Sequence, residues 1–125
     1  MTGYSASVSF ASKELTARER IAIKDTTNAA ALDELTKDNT NVHIVPDYYA
    51  ILDIHNEKSE DKDYKKYVIV DKSGNKYVTG SESFMNAFLE IFNEMQGENE
   101  EYSIEVYRMP SKNYKGKEFL TCSIA

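Results

Sequence analysis

Tryptophan is absent from this 125-residue chain, cysteine occurs once, proline and histidine twice each, and glycine five times. The lone cysteine, Cys122, cannot close an internal disulfide, so packing must hold the fold, and a chain of this length can bury a core without staples. His43 and His55 stand apart with no second cluster of ligands, which argues against a zinc site. No apolar run approaches a membrane span. The opening stretch MTGYSASVSFASKELTARER has no charged start, apolar block or cleavage site, so a soluble, cytoplasmic protein without a membrane partner is expected. Positive charge is also in deficit, with 15 Lys and Arg against 21 Asp and Glu and a formal net charge of −6. Nucleic-acid-binding domains are usually basic, so only a local concentration of cations would return the chain to that class.

What is present is a strongly patterned second half. In Thr79 to Gly97, TGSESFMNAFLEIFNEMQG, the residues Phe84, Ala87, Phe88, Ile91, Phe92 and Met95 recur at helical spacing and define one apolar face. Thr79 with Glu82 reads as a capping box, Ser81 as a second N-cap candidate, and Gly97 as the residue that ends the helix. Alternating, β-rich segments flank it: Tyr48 to Ile54, Tyr64 to Val70 and Lys76 to Thr79 before, Tyr102 to Met109 and Glu118 to Ile124 after. Asp71 to Asn75, DKSGN, joins two of them as a hairpin with Gly74 at positive φ. Three strands, a helix and two strands is the order of a five-stranded oligonucleotide- or oligosaccharide-binding (OB) barrel. The expected fold is therefore mainly β with α: an OB-like barrel over residues 42–125, one helix between its third and fourth strands, and a mixed N-terminal extension over 1–41 packed on it as one domain.

The extension is less legible. Tyr4, Ala6, Val8 and Phe10 alternate as in a half-buried strand suited to a sheet edge. SKELTARERIAIKD fits a short helix capped at Ser12, or at Thr16 with Glu19, and fits a strand through Ile21 and Ile23 as well. Asn28 to Thr36 predicts a short helix, and Lys37 to Asn41 a loop.

The charge is segregated. From Tyr102 to the end, Arg108, Lys112, Lys115 and Lys117 face only Glu105 and Glu118, a local excess of two positive charges in an acidic protein. These cations are interleaved with Tyr107, Tyr114 and Phe119 on one hairpin and its tip. That composition suits a single strand, whose phosphates attract the cations and whose bases stack on exposed rings. Among the nine tyrosines, Tyr67 and Tyr77 are the expected exposed members of a second, sheet-face group, because Val68, Val70 and Val78 compete better for the core. The competing reading of the same residues is ordinary: lysines that solubilise a turn and rings that pack across strands.

Enzyme signatures are thin, so no catalytic residue, metal or cofactor is expected. GNKYVTGS has the wrong spacing and no lysine before its serine, so it fails as a phosphate loop. Cys122 lies on an apolar strand face and reads as a small core residue. The acidic run NEKSEDKD reads as a solvated loop.

The C-terminal segment YRMPSKNYKGKEFLTCSIA resembles small single-stranded DNA-binding proteins encoded by bacteriophages and mobile elements of Gram-positive bacteria. The likeness rests on a PSK-(N)-x-x-GK-x-F segment, matched by Pro110, Ser111, Lys112, Gly116, Lys117 and Phe119, and on an S-x-S-F helix start, matched by Ser81, Ser83 and Phe84. It covers roughly Tyr48 to Ala125. It implies a non-enzymatic protein of phage replication or recombination, with single-stranded DNA and replication or recombination proteins as partners, and is compatible with a homo-oligomer. Cellular relatives end in an acidic tail that recruits partners, whereas FLTCSIA is strand-like, so docking is expected on another acidic surface. The alternative from a different class is an acidic, phage-encoded protein-binding module or inhibitor that works through NEKSEDKD and QGENEE.

Overall fold

The computed structural model describes residues 3–98, 100–111 and 116–125. In chain order the elements are β1 (Tyr4–Ala11), α1 (Ala17–Lys24), β2 (Ala30–Ala31), α2 (Leu32–Leu35), a 3-10 turn (Lys37–Asn39), β3 (Val42–Ile44), β4 (Pro46–Asn56), β5 (Asp63–Asp71), β6 (Lys76–Thr79), α3 (Glu82–Met95), β7 (Ile104–Pro110) and β8 (Glu118–Ile124). The described residues are mainly β, in a five-stranded sheet of order β1-β4-β5-β6-β2 and a three-stranded sheet of order β3-β7-β8. Neither sheet closes into a barrel among the described residues. The strands expected from alternation are present, but β6, which a barrel would pair onward, is already flanked by β5 and β2.

Contacts divide the chain into two compact units, Met1–Ala30 with Asp47–Gly80, and Ala31–Pro46 with Ser81–Ala125. The N-terminal segment 1–41 is thereby shared between them.

In the first unit, β1 runs antiparallel to β4, and the register shifts between Val8 and Phe10. This bulge moves Phe10 off the face of Ala6 and Val8, so its ring meets Tyr49 with centroids 5.8 Å apart. A strict alternation puts Phe10 on the other side. The ambiguous SKELTARERIAIKD segment is helical because Thr16 and Glu19 complete a reciprocal capping box. At the other end of α1, Lys76 Nζ donates to the carbonyls of Ala22 and Asp25 at 2.7 and 2.8 Å. The β5–β6 hairpin turns as expected: Gly74 has φ +89°, and the Asp71 carboxylate accepts from the amides of Ser73 and Asn75.

In the second unit, Ser81 rather than Thr79 caps α3, its Oγ accepting from the Phe84 amide at 3.2 Å. Thr79 is instead the buried last residue of β6. Phe84, Phe88 and Phe92 are buried, with successive ring centroids 5.9 and 5.5 Å apart. Gly97 takes φ +85° just past the helix. α2 is shorter than Asn28 to Thr36 because Ala30 and Ala31 are drawn into strand β2. α3 packs on β8, and Ser83 Oγ donates to the Leu120 carbonyl at 2.8 Å.

Candidate nucleic-acid interface

The register of β7 and β8 decides what the C-terminal hairpin presents. Val106 pairs with Cys122 and Arg108 with Leu120, while Tyr107 pairs with Thr121 and Met109 with Phe119. Paired residues point to the same side, so the hairpin has two unlike faces. Ile104, Val106, Leu120 and Cys122 are buried on one. Burial pushes the Cys122 thiol up to about 12, which keeps it protonated and unreactive at neutral pH.

The other face carries Tyr107, Met109 and Phe119. Met109 is 42% and Phe119 36% exposed, and half-buried Tyr107 is held by a 2.5 Å hydrogen bond between its hydroxyl and that of Ser123. The result is a short strip of two rings and a thioether on a rigid ladder. Toward its far end Glu105 is engaged by His43 Nε2 at 3.3 Å and by Asn41 Nδ2 at 3.1 Å. Met109 was missed by sequence reasoning that sought only rings and cations, although its position two residues after Tyr107 on a strand was the signal.

The site residues expected from sequence fare differently. Lys117 is exposed, and its carbonyl accepts from the Ser111 amide at 2.8 Å where the strands meet the turn. Lys112, Tyr114 and Lys115 lie outside the described residues.

Arg108 is on the opposite face from Tyr107. Its Nε donates to Thr36 Oγ1 at 3.1 Å, and its Nη2 donates to the Asp33 carbonyl. Thr36 is fully buried, and its own hydroxyl donates a hydrogen bond to the Leu32 carbonyl at 2.8 Å. The Arg108 bonds tie β7 to the end of α2. Arg108→Met is expected to cost about 1.5–3 kcal/mol in urea unfolding, the range for hydrogen bonds to a charged group, while leaving oligothymidine affinity unchanged in the folded fraction.

Tyr67 does not have the exposure expected of it. It is only 7% exposed, because β5 is buried on both faces from Tyr67 to Asp71 and alternation there no longer separates core from solvent. Tyr77 is half-buried, with its hydroxyl 3.4 Å from Asp71 Oδ2. Burial first, and the Asp71 charge second, raise its pKa. Both tyrosines belong to the first unit, whereas Tyr107, Arg108, Lys117 and Phe119 belong to the second.

The first unit has a polar trough of about 420 Å³ lined by Ser5, Ser7, Asp53, His55, Asp63 and Lys65, among others. Its charges pair internally: Lys65 Nζ lies 2.7 Å from Asp53, and His55 has Asp63 at 2.8 Å on Nδ1 and Glu57 at 2.7 Å on Nε2. A carboxylate at each nitrogen favours the imidazolium, and hydrogen bonding to Asp63, then to Glu57, raises the His55 pKa above 6.5. An NMR titration of the ring is expected to show that elevation, and Asp63→Asn to reduce it. The stabilisation is complete below the unfolded-state pKa, about 6.5. It is lost as pH rises through the higher folded value, so the denaturation midpoint should fall across that window. Among the described residues, no group of three or more His, Cys, Asp or Glu is placed to hold a metal ion, and no helix is long and apolar enough to cross a membrane.

Fold and site define a class, a mainly β two-sheet protein with an aromatic and thioether strip on an exposed hairpin face. No family model, curated protein or solved structure matches the chain.

Proposed function

We propose that this chain is a non-enzymatic, largely sequence-independent single-stranded DNA-binding protein of phage replication or recombination. The observation that carries the reading is the outward strip of Tyr107, Met109 and Phe119 on the hairpin whose connecting sequence, PSKNYKGK, supplies Lys112, Lys115 and Lys117. Bases stack on the ring faces while the lysines neutralise phosphates. Tyr114, between two of those lysines in sequence, adds a third ring. An open OB-like arrangement is the fold this reading implies, since such barrels are partly open by nature. The chain path supports it, because residues 42–44 pair with β7 before the chain continues into β4, which pairs with β5.

The test is a gel shift with labelled oligothymidine at low and high salt. Binding is expected, weakening as salt rises. Replacing Lys112, Lys115 and Lys117 by alanine should flatten the dependence of log K on log salt by about 0.7 per lost contact. An unchanged slope removes the hairpin from the mechanism. Absence of binding at low salt overturns the reading and favours an acidic protein-binding module.

A further inference from the structure

Two exposed surfaces on this chain are each apolar at the centre and opposite in charge at the edge. The first is on α1, where Ile21 is 66% exposed, the most exposed large apolar side chain among the described residues. Arg18 and Lys24 stand three residues to either side, so all three share one helix face, with the cations about 9 Å apart along the axis. The second is an open cleft of about 300 Å³ lined by Glu90, Ile91, Glu94 and Met95 of α3 and Ile124 of β8. Its floor is apolar, and Ile124 is 51% exposed. Glu90 and Glu94 stand one helical turn apart on its rim. Among the described residues, no ion pair engages Arg18, Lys24, Glu90 or Glu94.

The cleft is charged against its own helix. α3 has no basic residue in its last turn, and carboxylates near a helix C-terminus oppose the macrodipole. Their sign repels nucleic acid and anionic lipid and attracts a cationic, apolar knob. The face of Arg18, Ile21 and Lys24 is such a knob.

We propose that a second copy of this chain occupies the cleft, seating Ile21 of one protomer against Ile91, Met95 and Ile124 of the next, with Arg18 and Lys24 paired to Glu90 and Glu94. The two patches differ and each chain carries both, so pairing is either reciprocal within a two-fold dimer or head-to-tail into rings or filaments. A patch centred on one side chain is small, so association is weak and salt-sensitive. The inference does not rest on nucleic-acid binding.

It is tested on the full chain without DNA, by sedimentation velocity and by 15N-resolved shift mapping over a range of concentrations at low salt. The average mass is expected to rise with concentration, with shifts at Arg18, Ile21 and Lys24 and at Ile91, Met95 and Ile124. Ile21→Ser and Ile124→Ser should each weaken association about tenfold or more without moving the melting temperature, because both side chains are exposed. Mixing the two variants should restore association but stop at two chains, since each keeps only one working surface. Arg18→Glu with Lys24→Glu provides the same loss through charge if either isoleucine variant folds poorly. A chain that stays monomeric at every concentration, shifts confined to one of the two surfaces, or a mixture that fails to associate would each overturn the proposal.

Discussion

Phe88→Ala is expected to destabilise the protein by about 3–5 kcal/mol, the cost of removing a large ring from a packed core. Phe88 is fully buried, and its ring lies between those of Phe84 and Phe92, so truncation removes contacts on both sides along the helix. The α3 backbone is anchored independently by the Ser81 cap and by the Ser83 bond to Leu120. The neighbours therefore cannot collapse freely into the space, which places the loss toward the upper part of the range. Urea unfolding should show a lower midpoint at an unchanged slope if the folded and unfolded states keep their extents. A variant that kept its melting temperature yet lost DNA binding would reverse the structural assignment of this ring.

Tyr107→Ala and Phe119→Ala are each expected to weaken oligothymidine binding by about 1–3 kcal/mol, the measured worth of one stacked base. Phe119 is exposed at the strand edge, so its loss should leave stability nearly unchanged. Tyr107 differs because its hydroxyl is bonded to Ser123. Tyr107→Phe keeps the ring face and should bind almost normally, while losing about 1 kcal/mol of stability with the hydrogen bond. That separation of affinity from stability distinguishes stacking from cross-strand packing. The two positions are diagonal neighbours on the ladder, so the double variant should fall short of the sum. Tyr114→Ala should lower affinity by a similar amount with no change in stability, and Tyr114→Phe should be silent. Normal affinity in all the alanine variants, with tyrosine fluorescence indifferent to the oligonucleotide, would remove stacking from the mechanism.

Much of the fold was legible because its signals are local. The apolar face of Phe84, Phe88 and Phe92 repeats at the helical period, and a pattern sustained over about three turns to Met95 leaves little choice of conformation. Lys76 to Thr79 and Glu118 to Ile124 were bounded to the residue, each starting just after glycine-containing, turn-forming sequence. Gly74 lies where the chain must take positive φ. Each of these depends on neighbours a few positions away, and the sequence states those directly.

What the sequence left open depends on partners distant along the chain. α1 was a helix or a strand by pattern, and the capping box together with Lys76, more than fifty residues away, goes with the helix. A single extra residue at Ser9 reverses the side on which Phe10 lies, and no local rule announces a bulge. Arg108 looked like one of four equivalent cations until the register with Leu120 turned it toward Thr36 and Asp33. Tyr67 lost its expected exposure because β5 is covered on both faces. The sequence alone therefore determined where helices, strands and charge concentrate, since those follow from periodicity and composition. Only the tertiary structure decided which rings and cations face solvent, because exposure is set by what a distant segment covers, and a one-residue change of register exchanges the two faces of a strand.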